Sequence, residues 1–330
     1  MANPLVSVAL ASFNGEAFIE AQIESILRQD YQPLEIVVVD DCSTDQTSFI
    51  LERYAMEGKL KFWKNNQNLG YVKNFERVIN KCSGYFIALA DQDDVWDSQK
   101  ISRLVESIGD SLLIHSDAIL IDHRGNEIAS SFSVFSKKTT FPKSLTEALF
   151  NGSVTGCTSL FRRELLVDIL PFPDQLYVHD KWIGLIAFLR NGFNYLDEPL
   201  ISYRQHTTNS IGVATASFSV KDKIRKVFSQ RRIDFQFQDF RNSLEKEKLF
   251  IQLLCERIPM KEFQKKEADK AEKFYSWVLE GRNFFRLTAY FVINLGLLEK
   301  NKSLSKKLYY YYLIIVAFFY SKRMQNDRLV

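Results

Sequence analysis

An α/β fold, with a mixed but mainly parallel sheet lying between helices, is predicted by three observations. Short, continuously apolar runs recur through the first hundred residues, as strands covered on both faces require. Segments with apolar residues at helical spacing separate them. Each run also stops abruptly at polar or acidic residues, and ligands on parallel sheets bind beyond such carboxyl ends.

Leu5 to Ala11 is the first such strand, broken by Ser12-Phe13-Asn14-Gly15. Ile19, Ile23, Ile26 and Leu27 then mark an amphipathic helix within Glu16 to Gln29. Leu34 to Val39 is a second buried strand ending at Asp40-Asp41, and Ser43-Thr44-Asp45-Gln46 has capping-box spacing for a helix to about Met56. Lys59 to Lys64 is a short third strand. The polar loop Asn65 to Gly70 leads to a helix over Tyr71 to Cys82.

Tyr85 to Ala90, entered through Gly84, is the strand that matters most, because it ends in Asp91-Gln92-Asp93-Asp94. Three carboxylates in four residues at a strand end suit a hard divalent cation, which takes oxygen ligands and is often shared with substrate phosphates. An acidic turn capping the helix near Ser98 is the rival reading. Beyond Lys100 the pattern turns mixed: a strand over Ser111 to Ile121, a turn at Asp122 to Asn126 and a return arm over Glu127 to Ser133. The Gly-bounded loop Asn151 to Gly156 precedes a strand over Cys157 to Phe161. Pro171-Phe172-Pro173 precedes Tyr177 to Trp182, which opens a helix to about Leu189, and Ile201 to His206 reads as an edge strand.

The 330 residues allow one large α/β domain with an appendage, or two domains. A formal charge of +3 gives no reason to expect a nucleic-acid partner. No G-x-G-x-x-G follows the first strand and no G-x-x-x-x-G-K-[ST] occurs, which disfavours dinucleotide oxidoreductases and P-loop enzymes. Cys42, Cys82, Cys157 and Cys255 lack C-x-x-C pairing, so neither a zinc site nor a disulfide framework is expected. No basic region or long apolar stretch opens the chain, so a cytoplasmic protein is expected, bound on the inner face of the cell membrane if at all.

Six segments in order resemble the family 2 glycosyltransferases of the GT-A fold, most of all their bacterial rhamnosyltransferase-like members: Val8 to Gly15, Ile36 to Asp45, Asn68 to Phe75, Asp91 to Trp96, His179 to Trp182 and Tyr203 to His206. The resemblance implies a GT-A nucleotide-diphospho-sugar transferase domain over residues 1–215, followed by a helical extension over 216–330. It implies a dTDP- or UDP-sugar donor, a glycan or lipid-linked saccharide acceptor, and Mg²⁺ or Mn²⁺. Donor contacts fall on Ser12, Phe13, Asn14, Asp41, Asn74 and Asp91, with Phe13 and Asp41 at the pyrimidine and Asp91 near the ribose or a metal-bound water. Asp93 and His206 match the metal-binding positions, and Asp180 matches the base of an inverting transfer. His179, where many relatives carry Glu, and Trp182 fall at the acceptor.

Each residue also has a plain structural reading. Asp41 and Asp180 could cap helices, Asn14 and Asn74 could brace loops, and His206 could be a structural polar group. Trp96 and Trp182 could be packing residues, and His115 and His123 are read as structural or exposed. In the C-terminal region Lys221 to Lys226 and Arg231-Arg232 form a basic stretch, and Glu245 to Glu256 an amphipathic helix bearing Leu249, Leu253 and Leu254. Phe284 to Leu298 and Leu308 to Tyr320 are apolar and aromatic but shorter than the roughly 18 apolar residues of a spanning helix. Five tyrosines within Leu308 to Tyr320, flanked by lysines, suit an anionic membrane surface. A helical bundle, packed on the catalytic domain or forming a homodimer, is the alternative.

Overall fold

The computed structural model describes residues 3–136, 139–150, 154–205 and 230–280, with only the backbone described for 230–240. The chain divides into two compact units, Met1–Phe141 with Gly152–Gly212, and Pro142–Asn151 with Val213–Val330.

The first unit is a nine-stranded sheet. Its first half is β1 (Val6–Ser12), α1 (Ile19–Leu27), β2 (Leu34–Asp40), α2 (Thr47–Met56), β3 (Lys61–Lys64), α3 (Tyr71–Lys81) and β4 (Phe86–Ala90). Then come β5 (Val95–Trp96), α4 (Lys100–Ser107), β6 (Leu113–Ile121), β7 (Glu127–Ala129) and α5 (Phe132–Ser136). After α6 (Leu145–Phe150), which belongs to the other unit, come β8 (Ser159–Arg162), α7 (Leu166–Ile169), α8 (His179–Leu189) and β9 (Phe193–Arg204).

The strand order is β3-β2-β1-β4-β8-β6-β9-β5, with β7 on β6. β1, β2, β3 and β4 are mutually parallel, β8 runs antiparallel to β4 and β6, and β9 returns parallel to β6. The expected mixed sheet is therefore present, mainly parallel in its first half. Val6, Val8, Leu10, Ile36, Val38, Ala88 and Ala90 share one core cluster with Ile19, Ile23, Ile26 and Leu51 of the covering helices. The alternate residues Ala9, Val37, Val39, Ile87 and Leu89 are buried as well, so both faces of these strands are covered.

Four local expectations need correction. The box at Ser43 does not form: Ser43 Oγ donates to Asp40 Oδ1 at 2.5 Å, and α2 starts at Thr47 instead. The chain near Ile201 is no edge strand, since β9 lies between β6 and β5. The arm after Asp122–Asn126 stops at Ala129, and the chain then turns into α5.

The fourth is the unit boundary, because Pro142–Asn151 joins the helical unit. There α9 (Gln230–Arg257) and α10 (Glu262–Glu280) bury Leu244, Ile251, Leu254 and Ile258 with Ala268, Ala271, Phe274 and Val278. Alanine at two buried positions lets two helices approach closely. Phe150 of α6 stacks on Tyr275 with centroids 5.6 Å apart, and Glu267 accepts from the Leu145 amide at 3.1 Å. No helix of the described residues is long and apolar enough to cross a membrane. The apolar runs Phe284 to Leu298 and Leu308 to Tyr320 and the basic stretch lie outside the described side chains.

Candidate active site

Register brings the strand exits to one edge. β1 pairs Ser12 with Asp40 of β2 and Leu10 with Ala90 of β4, so Phe13, Asp41 and Asp91 leave the sheet side by side. The antiparallel β8 pairs Leu160 with Ala88, which brings the turn Gly156–Thr158 to the same edge.

The acidic loop is the centre of the site. Ligand-competent atoms of Asp91, Asp94 and Cys157 lie within 4.8 Å of one another. Asp94 is fully buried; one of its oxygens accepts from the Arg204 amide at 3.0 Å, while the other has no donor among the described residues. Burial, then the charges of Asp93 and Asp180, pushes the Asp91 carboxyl up to about 7. Burial, then Asp93 and Asp91, pushes Asp94 well above the carboxylate range. Carboxyl groups crowded in this way do not all ionise unless a cation joins them, so the loop fits a hard divalent ion. The Cys157 thiol, raised well above its ordinary value by burial and then by Asp94 and Asp91, stays protonated beside it.

Arg204 holds the loop from outside, and Lys100 lies beside it. Arg204 donates from Nε to the Asp93 carbonyl at 2.8 Å and from its terminal nitrogen to the carbonyls of Asp122 and His123 at 3.2 and 3.3 Å. Lys100 is fully buried; its ammonium donates to the Cys157 carbonyl at 2.5 Å and sits 3.4 Å from the centroid of the Trp96 ring. Burial lowers Lys100 to about 7.

On the β1 and β2 side, Asp40 and Asp41 are both buried but differ in company. Asp40 accepts from Ser12 Oγ, the Ser43 amide and Ser48 Oγ at 2.9–3.0 Å. Asp41 organises the next loop: its Oδ1 accepts from Asn65 Nδ2 at 2.7 Å and the Leu69 amide at 2.9 Å, and its Oδ2 from the Gly70 amide at 2.9 Å. Asn74, also buried, donates to the Val39 carbonyl at 2.9 Å and accepts from Asn65 at 3.0 Å. Asn14 adopts a positive φ of 49° and accepts from the Thr44 amide at 2.9 Å. Asn14, Asn74 and Asp41 thus all tie loops together. Phe13 presents an exposed ring at the same edge.

Asp180 lies in the first turn of α8, where its Oδ1 accepts from the Lys181 amide at 2.6 Å and its Oδ2 from the Gly156 amide at 3.3 Å. Its charge is felt at Asp91, at His179 and at the Tyr71 hydroxyl, so it faces the acidic loop. Gly156 packs tightly there: a Cβ would lie 3.3 Å from His179 Nε2 and 3.4 Å from the Asp180 Cβ, so these side chains would have to give by a few tenths of an ångström.

The two acceptor expectations change. Trp182 is fully buried, with its indole N–H donating to the Ile169 carbonyl at 3.1 Å, so it packs inside the protein and offers no surface to an acceptor. His179 is buried against Phe75, ring centroids 4.0 Å apart, with both nitrogens enclosed and no partner for them among the described residues. Burial lowers it to about 4, which keeps the imidazole neutral beside Asp180. His206 lies outside the described residues.

The structure therefore brings Ser12, Phe13, Asn14, Asp41, Asn74, Asp91, Asp93 and Asp180 to one sheet edge. Sequence reasoning gave no role to Gln92, Lys100, Gly156, Cys157 or Arg204. Arg204 and Gln92 sat inside motifs already singled out, but Lys100 and Cys157 carried no signal that would have separated them from ordinary surface and core residues.

Comparison with known proteins agrees with this geometry. The model of glycosyl transferase family 2 matches residues 7–170. The dTDP-rhamnosyl transferase RfbG of Shigella flexneri is 29% identical over 232 residues, covering 65% of this chain and 77% of the relative. Among relatives the matched share of their own length runs from 32% to 77%. In structure, residues 1–349 of Staphylococcus aureus TarS in complex with UDP-GlcNAc align with a TM-score of 0.57 at 18% identity, covering 98% of this chain and 91% of that one. The mannosyltransferase PcManGT of Pyrobaculum calidifontis in complex with GDP-Man and Mn²⁺ aligns with a TM-score of 0.54 at 16% identity, covering 98% and 87%. Parallel strands that deliver acidic residues to one edge, the family match and these neighbours lead to one conclusion: the chain belongs to the family 2 glycosyltransferases and has the GT-A fold.

Proposed function

We propose that the protein is an inverting, divalent-metal-dependent hexosyltransferase of bacterial surface-polysaccharide assembly. In this reading it moves rhamnose from dTDP-rhamnose to a glycan or lipid-linked saccharide. The observation that carries the reading is the convergence of the acidic loop and Asp180 on the turn Gly156–Thr158: Asp180 accepts from the Gly156 amide at 3.3 Å, and the next residue, Cys157, lies within 4.8 Å of Asp91 and Asp94. The likeness to RfbG supports the choice of rhamnose.

Asp180 takes the proton of the acceptor hydroxyl. The freed oxygen attacks the anomeric carbon from the face opposite the diphosphate, the new C–O bond forms, and the electron pair of the broken bond leaves on the phosphate oxygen. A positioned base of this kind is typically worth about 10²–10⁴-fold. Phe13 and Asp41 would flank the pyrimidine, Asp91 would lie toward the ribose, and Asp93 and Asp94 would hold the ion. A divalent ion held there, Mg²⁺ or Mn²⁺, would supply neutralisation of the charge on the departing diphosphate. Arg204 keeps the loop in place while this charge redistributes. The catalytic domain is residues 1–215 less the segment that joins the helices, and the composition of the lysine- and tyrosine-rich stretch near Leu308 to Tyr320 suits an anionic membrane surface or a second copy.

A UDP-sugar donor is the second reading, favoured by the likeness to TarS, whose structure holds UDP-GlcNAc. Incubating the protein with Mn²⁺ or Mg²⁺ and a panel of dTDP-rhamnose, UDP-glucose, UDP-GlcNAc and GDP-mannose, with nucleoside diphosphate release as the readout, separates the two. Turnover or binding of no thymidine or uridine sugar would overturn both.

A further inference from the structure

The side chain of Gln92 makes a contact outside its own loop. Its Oε1 accepts from the Phe13 amide at 2.8 Å, and its Nε2 donates to the Phe13 carbonyl at 2.9 Å. Those two backbone groups fix which end of the amide is which. The β1–β4 ladder ends with Leu10 opposite Ala90, so the Gln92 amide takes the place of a further strand residue and supplies Phe13 with the donor and acceptor a ladder would have given. Gly15 makes room for it: a Cβ there would lie 2.3 Å from Gln92 Oε1 and 2.5 Å from its amide carbon.

We propose that Gln92 is a positioning residue for the donor: it reaches from the acidic loop to set the Phe13 backbone, and so fixes the base-binding edge relative to the diphosphate-binding edge. The proposal rests on the donor site described above and adds the element that joins its two halves. Two neutral hydrogen bonds, net of their competition with water, set the scale of its effect at about tenfold in affinity.

The test compares two ligands, a nucleoside diphosphate (dTDP and UDP) and inorganic diphosphate, each with Mn²⁺, by calorimetry on the full chain. The proteins are wild type, Gln92→Ala, Gly15→Ala and the double variant. In both single variants the nucleoside diphosphate is expected to bind about tenfold more weakly while inorganic diphosphate stays within about twofold. Gly15→Ala should be harmful only while Gln92 is present, so the double variant should bind no worse than Gln92→Ala. A proportional loss of both ligands would show a merely structural role and overturn the proposal. So would unchanged nucleotide binding in Gln92→Ala, or additive losses in the double variant. A wild-type protein that bound neither dTDP nor UDP would instead sink the donor-site reading itself, and the proposal with it.

Discussion

Asp41→Asn separates a nucleotide-reading carboxylate from one that builds a loop. The side chain accepts three hydrogen bonds, from Asn65 and the Leu69 amide on one oxygen and from the Gly70 amide on the other, at 2.7–2.9 Å. An asparagine keeps one acceptor oxygen and points an NH₂ at a remaining donor. If its oxygen stays with Asn65 and Leu69, the Gly70 contact is lost at about 2 kcal/mol, and the other two weaken by roughly 0.5 kcal/mol each on losing their charge assistance, about 3 kcal/mol in all. Gly70, at a positive φ of 81°, also donates to Asn68 Oδ1 at 3.0 Å, so about 3 kcal/mol is the upper end of the loss. The assay is amide hydrogen exchange at Leu69 and Gly70 without nucleotide, where about 3 kcal/mol corresponds to roughly a hundredfold faster exchange through local opening. Unchanged exchange at both amides would refute the loop-building role.

Three further outcomes are expected. Asp180→Asn should lower kcat by about 10²–10⁴-fold with nucleotide affinity retained, as read by turnover and calorimetry. Trp182→Phe should cost about 1–3 kcal/mol, because it strands the buried Ile169 carbonyl. It should leave activity per folded molecule intact, measured by denaturant melts beside turnover. Glu35 gives a pH prediction: although burial pushes its carboxyl up, hydrogen bonds from Lys61, Ser7 and Ser83 win and hold it at about 2. Its folded value lies below the unfolded one, so its stabilisation is present above about pH 4.5 and is lost as pH falls toward 2. After allowance for partial solvent screening the effect is about 2 kcal/mol, and Glu35→Gln should flatten the acid limb of the stability curve by that amount.

Much of the fold was legible because β1, β2 and β4 are mostly apolar on both faces and end where polar residues begin. Pairing was harder to read. β9 begins at Phe193, but Pro199 interrupts its pattern, and the ladder with β6 shifts register between Ser116 and Asp117 and again before Ile119. A proline lacks the ladder donor, so only the stretch after it read as strand. Ser43 failed as a cap because Asp40, buried three residues earlier, competes for its hydroxyl. Trp182 was placed at the acceptor by closeness in sequence to Asp180, yet residues two apart on a helix face different ways. The acidic loop was legible as a cation site from its composition alone. What ties it down, Arg204 from β9, depends on which strand lies next to which, and no local pattern encodes that.

The placement of β5 constrains how this chain can vary. It follows central β4 by only the residues Asp91–Asp94, yet it occupies the far margin of the sheet, four strands away. In a flat sheet four strand spacings amount to about 19 Å, whereas the five steps from Ala90 to Val95 reach at most about 18 Å fully stretched. The sheet must therefore roll over on itself, and the acidic stretch becomes a taut bridge with both feet planted. Length changes that the hairpin at Asp122–Asn126 could absorb would here either slacken the bridge or unroll the sheet, so lineages of this chain are expected to exchange residues in that stretch but not to add or remove them.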